Sequence, residues 1–255
     1  MQLPENRFKQ GLLSDRTQIG LWHGLFHPYV TELLAGTGFD WLCLDAEHSP
    51  TNPLNLLSQL QAIAAYPTHP VVRTVNDDVA LIKQYLDLGV QTLLIPMVET
   101  GAQAARIVAA TRYPLRGIRG VGSALARASR WNQVSDYLRQ AESQLCVLVQ
   151  VESAAGLQNL AEIAATEGVD GVFFGPSDLA ASLGLLGESG SQQVQRAIID
   201  GIGVVRAAGK AAGVLTIEAS LIRRYCDAGA NFVAVGLDTG LLVRAATDLA
   251  QQFRA

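Results

Sequence analysis

Residues 146–178 read CVLVQVESAAGLQNLAEIAATEGVDGVFFGPSD. The stretch opens on a short apolar run, Cys146–Val151, interrupted by Gln150. An amphipathic segment, Ala154–Glu167, follows at helical spacing. Gly168 supplies the left-handed residue on which such helices end. A second apolar run, Gly171–Gly175, begins within a few residues. Strand, crossover helix and strand make a parallel βαβ unit. Both runs end in polar residues: Gln150 and Glu152 after the first, Ser177 and Asp178 after the second.

The same unit recurs in both directions. Strands are expected at Ile19–Leu25, Trp41–Asp45, Val71–Arg73, Thr92–Pro96, Ala212–Leu215 and Phe232–Val235. Helices are expected at Thr31–Thr37, Pro53–Ala65, Val79–Leu88, Gly101–Arg112, Gln193–Ala208, Glu218–Ala228 and Leu241–Phe253. Gly38, Gly89, Gly209 and Gly229 end helices as Gly168 does. Eight units in succession favour a closed (β/α)8 barrel over an open doubly wound sheet, and 255 residues suit one such domain. The one long interruption, 113–143, is rich in Arg and Gly and reads as a lid or an assembly element.

Composition narrows the partners. The net charge of −4 argues against nucleic acid and anionic membranes. A hydrophobic fraction of 49% against 16% charged residues leaves surface for contacts between subunits, so a homo-oligomer is expected. Cys43, Cys146 and Cys226 lie in apolar stretches without a Cys-x-x-Cys pair, which fits buried thiols in a reducing compartment. With no secretory leader and no apolar run of membrane length, the expected location is the cytoplasm.

In a (β/α)8 barrel, chemistry collects at the C-terminal ends of the strands. Asp45, Glu47 and His48 follow the second strand there. Arg73 ends the third, and Glu99 lies past the fourth. Gln150 and Glu152 close the fifth; Ser177 and Asp178 follow the sixth. Any one of them could be a helix cap or a local ion pair. One mouth holding several carboxylates, a His and an Arg is a better fit to a catalytic site. Carboxylates around a water-filled gap suit a hard divalent cation such as Mg²⁺ or Mn²⁺, with Glu152 and Asp178 as ligands. Lys9, Lys83 and Lys210 are the only lysines, and none is expected at the mouth. A Schiff base is therefore excluded, and carbon–carbon bond chemistry next to a ketone would need a metal to hold the enolate. Gly117–Gly122 does not follow a strand and gives no nucleotide-binding motif. His23 and His27 could line the mouth, whereas His69 reads as a surface residue at the opposite end.

These residues sit in segments that resemble the HpcH/HpaI class II aldolases over nearly the whole chain. The segments are FDWLCLDAEHSP (39–50), PVVRTVND (70–77), QTLLIPMVET (91–100), GIRGVGSALARASRWN (117–132), CVLVQVES (146–153) and EGVDGVFFGPSDLAASLG (167–184). The resemblance implies a divalent metal, Mg²⁺, Mn²⁺ or Co²⁺, held by Glu152 and Asp178. It implies His48 as general base, Asp87 as the carboxylate that raises its basicity, and Arg73 as transition-state stabiliser. Gln150, Ser177 and Asp178 would bind substrate. The implied reaction is reversible cleavage of a 4-hydroxy-2-oxo acid, such as 4-hydroxy-2-oxoheptanedioate, to pyruvate and an aldehyde such as succinic semialdehyde. Hexamers of helix-swapped dimers are implied as well. Ala46 stands where similar proteins carry glycine. The last segment also resembles aldolases that cleave 5-keto-4-deoxyglucarate or related 2-keto-3-deoxy sugar acids, and a CoA-ester lyase of the citrate-lyase β type is a further alternative. A last expectation concerns Arg116, Arg119, Arg127 and Arg130. Placed on the catalytic side, they would read a carboxylate on the aldehyde; the alternative is that they hold neighbouring subunits together.

Overall fold

The computed structural model describes residues 1–254. Eight parallel strands close into a barrel in sequence order: β1 Gln18–His23, β2 Trp41–Asp45, β3 His69–Arg73, β4 Thr92–Ile95, β5 Cys146–Val151, β6 Gly171–Phe174, β7 Ala211–Leu215 and β8 Phe232–Leu237. The helices are α1 Arg7–Leu13, α2 Pro28–Ala35, α3 Pro53–Ile63, α4 Val79–Asp87, α5 Gly101–Thr111, α6 Tyr137–Gln140, α7 Ala154–Gln158, α8 Leu160–Ala165, α9 Pro176–Ser182, α10 Gln192–Ala207, α11 Ala219–Asp227 and α12 Asp238–Gln252. No helix among the described residues is long and apolar enough to cross a membrane.

The eight expected strands are all present, and the differences lie at their edges. α2 starts at Pro28 because His27 caps it and proline suits the first helical position. The crossover after β5 is two helices, broken at Asn159, whose side-chain amide donates to the Glu99 carbonyl at 2.8 Å. α1 and the short α9 were not read from sequence.

Two cores hold the barrel. The outer one joins the strands to the surrounding helices through residues such as Leu42, Val72, Ile107, Val149, Ile198 and Val233. The inner one fills the barrel with Trp22, Trp41, Cys43, Leu148, Phe173 and Phe232. Glycines make room for these rings: a Cβ on Gly20 would lie 2.1 Å from the Trp41 ring, and one on Gly213 would lie 2.3 Å from Phe232. α1 plugs the N-terminal end, with Phe8 stacked on His69 and set edge-on to Trp41 and Phe232. His69 is thus buried, not on the surface. Its Nε2 lies 2.8 Å from Thr92 Oγ1, and burial, with help from the Arg7 charge, pushes its pKa down to about 3. Cys43 and Cys146 are buried inside the barrel and their thiols are pushed well up by that burial; Cys226 is half-buried.

The Arg-rich segment lies at the opposite end from its expected place. It follows α5, and in a βα unit the helix carries the chain back to the N-terminal ends of the strands. Residues 113–143 therefore pack near the start of the barrel. Arg116 pairs with Glu142 at 3.2 Å, and Arg127 donates to the Leu88 carbonyl at 2.8 Å, past the end of α4. Arg119 is fully buried, over the Tyr113 ring and 2.7 Å from Asp87. Within one chain these arginines do not reach the mouth.

α12 departs most from a compact barrel. Its first residue, Asp238, is buried, but every described residue from 241 onward is exposed. Leu242 and Val243 are 59% and 66% exposed, which leaves an apolar stripe bare among the described residues.

Candidate active site

A cavity of about 310 Å³ opens at the C-terminal ends of the strands. Its walls include Asp45, His48, Arg73, Gln150, Ser177 and Asp178, so the structure brings six of the expected residues together. None of the three lysines lines it. Lys9 instead pairs with Asp170 at 3.2 Å, and Lys210 donates to the Val169 carbonyl at 2.8 Å.

Arg73 is the best-anchored group. The parallel register places Asp45 opposite it on β2. Arg73 Nε and Nη2 donate to the two Asp45 oxygens at 2.9 and 2.6 Å, a bidentate fork. Nη1 lies 2.7 Å from Glu47 Oε2. The guanidinium rests 4.8 Å from the Trp22 ring centroid, and the Trp22 indole N–H donates to Asp45 at 3.2 Å. Burial alone would raise the Asp45 carboxyl. The Arg73 hydrogen bonds and charge outweigh it and hold Asp45 below the usual carboxylate range. Glu47 goes the other way: burial raises it despite Arg73.

Glu152 sits beneath the cavity floor, 2% exposed. It accepts from the Met97 backbone N–H at 2.9 Å and from the Gln150 side chain. Met97 has φ +54°, a left-handed conformation unusual for a residue with a side chain, at the end of β4. Burial lifts the Glu152 carboxyl to about 7, with the Asp178 and Glu47 charges adding to the rise and the two hydrogen bonds opposing it. Gly175 leaves open the space beside it: a Cβ there would lie 2.2 Å from Glu152 Oε2. Ser177 and Asp178 occupy the first turn of α9, where backbone N–H groups have no acceptor within the helix.

A divalent cation fits this place. Asp178 lines the cavity, Glu152 lies buried beside the cavity residue Gly175 with burial opposing its ionisation, and Gln150 Oε1 is buried without a donor. No group of three or more His, Cys, Asp or Glu among the described residues forms a cage. Two carboxylates with an amide oxygen beside them are oxygen donors of the kind a hard divalent ion takes.

Other expected residues lie elsewhere. Asp87 ends α4 at the N-terminal side of the barrel, where it meets Arg119; within one chain it forms no pair with His48. The carboxylate nearest His48 is Glu47, at 4.0 Å, and the His48 side chain is 66% exposed. Glu99 accepts from Ser153 Oγ at 2.6 Å and takes no part in the cavity. His27 accepts the Tyr29 N–H, and His23 is buried behind the wall. Sequence reading missed Trp22, Met97 and Asp238. Trp22 carries no polar pattern, and the Met97 contribution is a backbone N–H with no side-chain signal.

A (β/α)8 barrel with a clamped arginine over buried carboxylates, and no lysine at the mouth, has the form of a class II lyase centre. The chain belongs to the HpcH/HpaI aldolase/citrate lyase family, whose model matches residues 18–245. It is a class II aldolase, a carbon–carbon lyase. It is 59% identical over 254 residues to a hydroxypyruvate/pyruvate aldolase of Pseudomonas aeruginosa, a match covering 100% of this chain and 95% of the relative. It is 56% identical over 251 residues to a 4-hydroxy-2-oxo-heptane-1,7-dioate aldolase of Salmonella typhi, covering 98% and 95%. Its fold matches the crystal structure of a HpcH/HpaI aldolase/citrate lyase family protein from Burkholderia cenocepacia J2315. There the TM-score is 0.94 at 40% identity, over 98% of this chain and 100% of that one.

Proposed function

We propose that the protein is a divalent-metal-dependent pyruvate aldolase that cleaves 4-hydroxy-2-oxo acids reversibly to pyruvate and an aldehyde. The observation that carries this reading is the fork by which Asp45 holds Arg73 at the cavity that Gln150 and Asp178 also line, above the buried Glu152. The names of the relatives support a 2-oxo acid donor, and 3-hydroxypyruvate is a second donor on the same grounds.

Glu152 and Asp178 would hold the cation, which would supply positive charge at the 2-oxo acid end of the substrate. Arg73 adds a fixed guanidinium at the same end. His48 takes the proton of the 4-hydroxyl, directly or through water, as the C3–C4 bond breaks. The aldehyde leaves, and the electron pair passes to the pyruvate enolate, which Arg73 steadies. Reprotonation at C3 gives pyruvate. The partner is a second copy of the chain: the bare apolar face of α12 supports a homo-oligomer in which that helix lies on a neighbour.

The test is pyruvate release from 4-hydroxy-2-oxo acids with and without chelator. EDTA abolishes it, and Mg²⁺, Mn²⁺ or Co²⁺ restores it. A substrate adduct trapped by borohydride, or activity that survives chelation, rejects the proposal.

A further inference from the structure

The cavity has a second wall that the reaction as described does not use. In a closed barrel of eight strands, β1 lies four strands from β5. The wall made by the ends of β1 and β8 therefore faces the Glu152 side across the mouth. Gly24, Leu237, Asp238 and Thr239 line it. The β1–β8 ladder shifts register between Gly20 and Trp22, which re-aims the chain as it leaves β1.

One carboxylate organises this wall. Asp238 Oδ1 accepts the Gly24 N–H at 3.0 Å and the Thr239 N–H at 2.7 Å. Oδ2 accepts the Leu25 N–H at 3.1 Å and lies 2.6 Å from His23 Nδ1. A carboxylate only accepts, so Nδ1 carries the proton, and His23 Nε2 is left facing Thr31 Oγ1 at 2.8 Å. His23 and Asp238 are both buried. The clasp thus ties the loop after β1 to the first turn of α12, while the rest of that helix stands away from the barrel.

We infer that His23 and Asp238 are positioning residues for the aldehyde half of the substrate, holding the Gly24–Leu25 loop and Thr239 as the wall against which the aldehyde lies. The placement follows from the geometry of the reaction. The 2-oxo acid end is committed to the Glu152, Asp178 and Arg73 side. From there the leaving aldehyde extends across the mouth toward the β1–β8 wall, past Arg73, whose guanidinium rests 4.8 Å from the ring of Trp22 on β1. That wall offers a glycine, a leucine, backbone and a hydroxyl, a surface suited to a short aldehyde. The inference rests on the aldolase reading.

The two are separable by experiment. Exchange of the C3 protons of pyruvate with deuterated water, followed by NMR in the Mg²⁺-loaded enzyme, needs the donor side alone; its absence in the unaltered protein rejects the aldolase reading. Condensation of pyruvate with glycolaldehyde reads both sides. Asp238→Asn leaves one acceptor oxygen for four donors and turns an NH2 toward two of them, so the wall loosens. It should raise the glycolaldehyde KM at least tenfold while pyruvate exchange stays within twofold. Gly24→Ala keeps the clasp and adds a methyl 3.8 Å from Asp238 Oδ1 and 3.9 Å from Thr239 Cγ2, at ordinary contact distance. It should raise the same KM with exchange intact, even if Asp238→Asn fails to fold. The inference is overturned if Gly24→Ala leaves the aldehyde KM within twofold, or if either variant lowers exchange in parallel with condensation.

Discussion

Replacing Glu152 by glutamine should stabilise the metal-free protein at pH 8. The carboxyl is displaced from an ordinary 4.5 to about 7. About 2.5 units at 1.36 kcal/mol each amounts to about 3 kcal/mol. The folded pKa is raised, so between pH 4.5 and 7 the folded protein keeps a proton that the unfolded chain has released. This contribution to stability is complete below 4.5 and is lost as pH rises through 7. Glutamine does not titrate and escapes that loss. It has one acceptor oxygen, though, where Met97 N–H and the Gln150 amide both donate, and the lost hydrogen bond costs about 1 kcal/mol. The net effect in EDTA is a gain of about 2 kcal/mol at pH 8, or about 4–8 °C in Tm for a chain of this size, reversing to a small loss near pH 5. Mg²⁺ should raise the Tm of the unaltered protein, more at pH 8 than at pH 5, because below 7 it must displace the proton. It should leave the variant nearly unmoved. Thermal unfolding at one protein concentration, with EDTA or Mg²⁺ and across pH 5–8, measures all four quantities. Parallel pH profiles for the two proteins, or equal stabilisation of both by Mg²⁺, would refute the reasoning.

Three further outcomes are expected. His48→Ala should lower kcat by ~10²–10⁴ with Mg²⁺ binding by calorimetry unchanged, since the side chain is exposed and touches neither carboxylate ligand; full cleavage by the variant would remove His48 from the reaction. Arg73→Lys should lower kcat by ~10²–10³, because a lysine cannot reproduce the two-point hold on Asp45; a near-normal rate would show that charge alone suffices. Deleting residues 241–255 should reduce the mass seen by light scattering, and an unchanged mass would place the subunit contacts elsewhere.

The fold was legible because its evidence repeats. Each strand is a short apolar run, each helix has an amphipathic period, and glycines such as Gly168 mark the turns. The donor side of the site was legible for a related reason: Asp45, Arg73, Gln150 and Asp178 are polar residues at strand ends, where a barrel has no structural need for so many. Three kinds of information were not on the surface of the sequence. Met97 acts through its backbone N–H, Gly175 through the absence of a Cβ, and Asp238 through partners more than 200 residues away. The first two depend on pairing of neighbouring strands, β4 with β5 and β5 with β6, and the last on closure of the barrel, which brings β8 beside β1.

The arginine segment shows the cost of counting from strands alone. Arg119 lies after β4 in sequence, and that suggested the catalytic side. α5 intervenes, however, and a helix of 11 residues returns the chain by roughly 16 Å to the other end. The burial of Arg119 then has a structural cause, its charge being met by Asp87 at 2.7 Å and by the face of Tyr113. Arg119→Ala should accordingly cost roughly 2–4 kcal/mol of stability, since it leaves Asp87 without its partner and a void beneath the segment. Asp87 is partly exposed, which keeps the figure at the low end of what breaking a buried pair costs. Kinetics should distinguish this from a substrate role. With Arg119 structural, KM values for succinic semialdehyde and for a neutral aldehyde of similar length change by the same factor while Tm falls. A KM increase confined to succinic semialdehyde, with Tm unchanged, would return the segment to substrate recognition and would require a neighbouring protomer to bring it to the mouth.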